Sequence, residues 1–148
     1  MTENLIVGFL MMVVCVGIQC IVAGTLLSVL DRMHRRQLVR PTIISATLLL
    51  SVVMLIMMVG NLLQMALWAR MFVARGEFTV YAAAFYHSVV NFSTLGYGDL
   101  VMSEENRLLG ALEAANGVLM FGLTTSVLFM VLHAIMRRAW DERPGQAA

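Results

Sequence analysis

Three stretches of this chain stay almost free of charge for longer than a lipid bilayer is thick: Leu5 to Leu30, Thr42 to Ala69 and Leu108 to Met136, the last interrupted by the single acid Glu113. A helix needs about 20 mostly apolar residues to cross the hydrocarbon core, so each is long enough to span it. The whole chain is 60% hydrophobic and only 13% charged, whereas charged residues approach about a quarter of an ordinary soluble domain. Its 148 residues leave no room for a large soluble catalytic or nucleotide-binding module beside such helices. The expected fold is therefore an all-α membrane protein with three transmembrane helices. The first stretch follows Thr2-Glu3-Asn4 rather than basic residues, exceeds a signal-peptide core and lacks a small-residue cleavage site, so it reads as a retained helix. Cys15 and Cys20 fall on different faces of that helix, and no disulfide between them is expected.

The segment from Thr79 to Ser93 is also apolar and helix-like, but its 15 residues would extend only about 22 Å and cannot cross. It is expected to enter the membrane and turn back. Non-helical backbone at membrane depth is tolerated only where protein buries it or where it lines a watery path, so a pore or site should follow.

The arginines test this arrangement. The net charge of +1 conceals ten basic residues that are all Arg and fall in clusters between the apolar runs, a spacing that speaks of topology and not of nucleic-acid binding. With three spans and one re-entrant segment, Arg32, Arg35, Arg36, Arg40, Arg137, Arg138 and Arg143 share one side, which the positive-inside rule makes cytoplasmic. Arg70, Arg75 and Arg107 fall outside. The N-terminus is then expected outside and the C-terminus inside, with the re-entrant segment entering from outside. Pro41 should open the second helix and Asn106 should cap the third.

Directly after the short apolar segment stands Thr94-Leu95-Gly96-Tyr97-Gly98-Asp99. A dehydrated cation needs several carbonyl oxygens facing one axis. Successive carbonyls can do so only if some residues adopt positive φ, which Gly96 and Gly98 permit without a Cβ clash. The string closely resembles the selectivity filter of tetrameric potassium channels. From Pro41 onward, the order outer helix, pore helix, filter and inner helix also resembles their two-helix pore domain, so residues 41–148 read as the pore domain and 1–40 as an additional helix with a basic linker. The resemblance implies a homotetramer around a central potassium pathway. It implies K+ ligands from the Thr94 hydroxyl and from the carbonyls of Thr94, Leu95, Gly96 and Tyr97, with Gly98 completing the filter. The pore helix would point its partially negative C-terminal end at the cation. The transported K+ is then the only ion implied, with no cofactor.

The same resemblance assigns supporting roles. Tyr86 and His87 take the places of aromatic residues that bond the filter, Tyr86 towards Asp99 and His87 towards the Tyr97 hydroxyl. Val90 stands where some relatives carry a glutamate, so that carboxyl partner of Asp99 is missing. Val118, Phe121, Thr125 and Phe129 share one stripe of the inner helix and would face the cavity, with His133 a turn beyond near the inner mouth. Gly117 lies near a glycine hinge of many relatives, although a small residue there equally permits close helix packing.

His87 and His133 are candidate sensors of external and internal pH; the plainer readings are a neutral His87 satisfied by a hydrogen bond and an interfacial His133 with no gating role. Glu113, an acid inside a span, is expected either to sit protonated or bonded behind the pore helix or to tune the filter. Arg32, Arg35, Arg36 and Arg40 are candidate contacts for anionic lipid. No His/Cys/Asp cluster has metal-site spacing, and no nucleophilic triad or phosphate loop is present, so an enzyme is not expected. The competing reading is a regulatory or non-conducting membrane subunit that keeps the channel fold.

Overall fold

The computed structural model describes residues 1–35 and 42–141, and in them the chain forms α1 (Thr2–Arg35), α2 (Ile43–Ala74), α3 (Tyr81–Phe92) and α4 (Arg107–Asp141). Arg36, Arg40, Pro41 and Arg143 lie outside the described residues. Three helices, over Thr2–Met33, Ile43–Ala74 and Arg107–Arg137, are long and apolar enough to cross a membrane. The chain is a multi-pass membrane protein. Its helices outrun the apolar stretches: α2 continues past Ala69 through Arg70, whose side chain is exposed. At 12 residues α3 extends only about 18 Å and cannot cross.

Because these helices are apolar on every side, hydrophobicity does not say which face packs. Small and polar residues do, since they allow close approach or find partners away from lipid. On α1 the buried positions include Asn4, Gly8, Cys15, Gln19 and Ala23, a stripe at spacings of four and seven residues. α1 lies against both α2 and α4, and α3 packs against the same two helices. One apolar cluster joins Cys15, Trp68, Phe72, Phe92, Leu109 and Met120 across all four helices. A second joins Ala23 and Leu26 to Val53, Met57, Val127 and Val131 nearer the other end. Cys15 is buried, Cys20 is exposed, and both are free thiols.

A buried amide network connects the two clusters. Gln64 Nε2 donates to Gln19 Oε1 at 2.7 Å, and Gln19 Nε2 donates to Thr124 Oγ1 at 3.2 Å. Asn61 Nδ2 reaches the same hydroxyl at 3.3 Å, while Thr124 donates to its own helix at Met120 O, 2.9 Å away. α1, α2 and α4 are thereby held in one register. At the other end of α1, Asn4 Nδ2 donates to Glu105 O at 2.6 Å and to Asn106 Oδ1 at 3.1 Å, and Glu3 pairs with Arg75 at 2.9 Å.

Candidate functional site

α2 and α3 end in the same local structure with different residues at its key position. At the end of α2 the chain turns through Gly76, with φ +77°; Gly76 N–H donates to Val73 O at 3.0 Å and Glu77 N–H to Phe72 O at 3.1 Å. This is the Schellman motif, whose left-handed residue is usually glycine because it has no Cβ to clash. α3 repeats it: Thr94 N–H donates to Asn91 O at 2.8 Å and Leu95 N–H to Val90 O at 2.9 Å. Here the left-handed residue is Thr94, with φ +61°. A β-branched residue in that conformation is strained by about 1–2 kcal/mol relative to glycine.

Beyond Thr94, Gly96 and Gly98 adopt φ +57° and +74°, so positive φ recurs at alternate residues of 94–98. The side chains of Leu95 and Tyr97 are exposed, and a Cβ at Gly96 or Gly98 would meet nothing within 4 Å. The two glycines are therefore required by backbone conformation and not by crowding. The Val90 carbonyl collects three donors, from Leu95 N–H, from Gly96 N–H at 3.3 Å and from the Ser93 hydroxyl at 3.2 Å.

The far end of the segment is tied down by three side chains. The Tyr86 hydroxyl donates to Asp99 Oδ2 at 2.8 Å, the partner expected for it, and this bond to a carboxylate raises the phenol above its usual range. His87 differs from expectation: Nδ1 lies 3.0 Å from Leu100 O and Nε2 lies 2.9 Å from Asn91 Nδ2, so both ring nitrogens are engaged away from Tyr97. A carbonyl only accepts, which makes Nδ1 the protonated nitrogen and leaves Nε2 to accept from Asn91. Burial lowers this imidazole below its ordinary value, against the opposing pull of the Leu100 carbonyl and the Asp99 and Glu77 charges.

Glu77 is the third tie. It accepts from the Ser103 N–H at 2.8 Å and hydroxyl at 2.6 Å, and from Asn106 Nδ2 at 2.6 Å. Asn106 does immediately precede α4, but its amide serves Glu77 and Asn4 instead of capping the helix. Partial burial would raise the Glu77 carboxyl; the hydrogen bonds from Ser103 and Asn106 outweigh it and hold the group below its ordinary value of 4.5. A carboxyl lowered on folding contributes stability above its unfolded value and loses it as pH falls through the folded one. Glu77→Gln should therefore lower the melting temperature at neutral pH, and the gap from wild type should close as pH falls below 4.5, as read by thermal unfolding across pH.

The expected cavity residues Val118, Phe121, Thr125, Phe129 and His133 are all exposed on one face of α4. The opposite face, including Leu109, Glu113, Asn116, Met120 and Val127, is buried against the other helices. Phe121 meets the Phe92 ring edge-on at a centroid distance of 5.7 Å, and the rings of Phe129 and His133 stack at 6.4 Å. Gly117 faces α3: a Cβ there would overlap the Phe92 carbonyl, which supplies a packing reason for this glycine. Val90 is buried. Glu113 is fully buried behind α3, hydrogen-bonded with Ser88.

Sequence reasoning missed Glu77, Ser103, Asn4, Ser88 and the Gln19–Gln64 pair. A scan for charges passes over uncharged amides inside apolar runs, although any polar side chain there needs a partner. Among the described residues, no group of three His, Cys, Asp or Glu could hold a metal ion.

A family model described as "Ion channel" matches residues 42–134, which takes in α2, α3, the 94–98 segment and most of α4. Comparison with curated proteins and with solved structures returned no match. Transport of ions, and not catalysis, is the role this match carries. The chain, matched over more than half its length, belongs to this ion-channel family.

Proposed function

We propose that the chain is a potassium-selective channel subunit, four copies of which enclose a central pore. The observation that carries this reading is Thr94, held left-handed at a position where glycine would relieve strain. Strain kept at one residue points to a use for its side chain, and a hydroxyl at the entrance to a row of carbonyls is a cation ligand. In this reading K+ is bound by the Thr94 hydroxyl and by the carbonyls of Thr94, Leu95, Gly96 and Tyr97. The alternate positive φ angles at Thr94, Gly96 and Gly98 support it.

α3 then serves as pore helix, its negative end towards the ion. Val118, Phe121, Thr125, Phe129 and His133 line the cavity in the tetramer. The pore domain comprises 41–148 and α1 is an addition to it. Arginine placement favours an external N-terminus and a cytoplasmic C-terminus, with anionic lipid near Arg32, Arg35, Arg36 and Arg40. Potassium sheds water, is recoordinated by filter oxygens and moves down its electrochemical gradient.

The test is flux through purified protein in liposomes under K+ or Na+ gradients. Wild type should pass K+ well above Na+, and Gly96→Ala should abolish the flux. Thr94→Gly separates stability from function: it should gain about 1 kcal/mol per subunit from relieved strain while its K+/Na+ ratio falls. Equal K+ and Na+ flux in wild type would overturn the selectivity, and a folded tetramer with no flux would favour a regulatory subunit that keeps the channel fold.

A further inference from the structure

Glu113 sits where α2, α3 and α4 meet, and its neighbours count its protons. Ser88 Oγ, fully buried on α3, is hydrogen-bonded both to Met65 O of α2 at 2.7 Å and to Glu113 Oε1 of α4. A hydroxyl has one proton to donate, and a peptide carbonyl can only accept. Both bonds coexist only if Ser88 gives its proton to Met65 and the carboxyl brings a proton of its own. An ionised Glu113 would instead set two acceptors against one donor and bury a full charge.

Among the described residues, none around the carboxyl offers that charge a counter-ion. The groups near it are Ser88 and Asn91 on α3 and Cys15, a thiol, on α1, with the Met65 carbonyl of α2 beyond Ser88. On its own helix Asn116 follows three residues later, fully buried, with neither end of its amide bonded. His87 stands beyond Asn91 and is itself neutral in the bonding pattern it adopts. The ion pairs nearer the helix ends join Arg75 to Glu3 and Arg107 to Glu104.

We propose that Glu113 is held as the neutral acid at physiological pH and is the positioning residue that docks α3 on α2, through a one-way chain of hydrogen bonds from its carboxyl to the Ser88 hydroxyl to the Met65 carbonyl. Its consequence for selectivity rests on the pore reading above, because Ser88 lies on the helix whose end delivers Thr94. The chain crosses three helices with directional bonds where apolar contacts alone would let α3 slide or turn.

Infrared spectroscopy of the full-length protein in liposomes tests the proton directly. Wild type at neutral pH should show the carbonyl stretch of a protonated carboxyl, and Glu113→Gln should lose it. The amide of Glu113→Gln can still donate to Ser88, so this variant should keep its K+/Na+ flux ratio within about twofold, whereas Glu113→Leu, with no donor, should lower the ratio by about tenfold while remaining tetrameric by size. A wild-type spectrum without the protonated band, or an unchanged ratio in Glu113→Leu, overturns the proposal. Should wild type pass no K+ at all, the pore reading fails by itself, and the infrared band still decides the state of Glu113.

Discussion

Gly117→Ala should destabilise the protein severely, reversing the usual sign of such a change. In an unobstructed helix alanine is better than glycine by about 1 kcal/mol. At Gly117 the new methyl would overlap the main-chain carbonyl of Phe92 and lie 3.0 Å from its ring carbon Cδ1. The obstacle is backbone, so no side-chain rotation relieves it, and α4 must move away from α3. Overpacking of this kind costs about 1–3 kcal/mol or more. Phe92 is fully buried and stands just before the turn through Thr94, so the displacement reaches the 94–98 segment directly. Thermal unfolding and size-exclusion chromatography should show loss of the folded protein or a large fall in its melting temperature. Gly122→Ala on the same helix is the control: a Cβ there meets nothing within 4 Å, and stability should hold or rise. A Gly117→Ala protein as stable as wild type but altered in opening would return Gly117 to the hinge role.

Gln19→Leu is expected to have the second large effect, on the attachment of α1. Gln19 accepts from Gln64 at 2.7 Å and donates to Thr124 at 3.2 Å, in the middle of otherwise apolar helices. Leucine would leave the Gln64 amide with no partner at either end, since its Oε1 is already unbonded. An unsatisfied amide in this setting costs about 1–3 kcal/mol, and lipid supplies no replacement donor or acceptor. The double variant Gln19→Leu/Gln64→Leu removes both members and should recover much of that loss. A double-mutant cycle on thermal stability reads the difference; if the double variant is no more stable than Gln19→Leu alone, the pair does not hold α1 in place.

The parts of the protein that were legible from residue order are those governed by neighbours along the chain. Uncharged length is a local property, and it located three spans and the short segment that became α3. The glycine spacing of 94–98 is equally local, because positive φ at Gly96 and Gly98 is a matter of each residue's own Cβ. Even so, the left-handed conformation of Thr94 was not legible: it comes from closing the Schellman turn on Val90 and Asn91, and threonine gives no local sign of it.

The remainder depended on tertiary structure. Helices apolar on all sides contain no preferred face for hydrophobic pattern to reveal, so rotation and register were decided by pairs far apart in sequence: Gln19 with Gln64, Ser88 with Glu113, Asn4 with Asn106, Gly117 with Phe92. His87 was drawn to Leu100 and Asn91, and Asn106 to Glu77, because the fold brought those groups within hydrogen-bonding distance. By itself, the sequence determined a membrane protein of three spans and a glycine-bearing loop, since transfer into lipid and backbone sterics act on each residue alone. Only the tertiary structure decided which buried polar groups meet, because in a medium without water a polar side chain is satisfied only by a group that the packing of the helices places beside it.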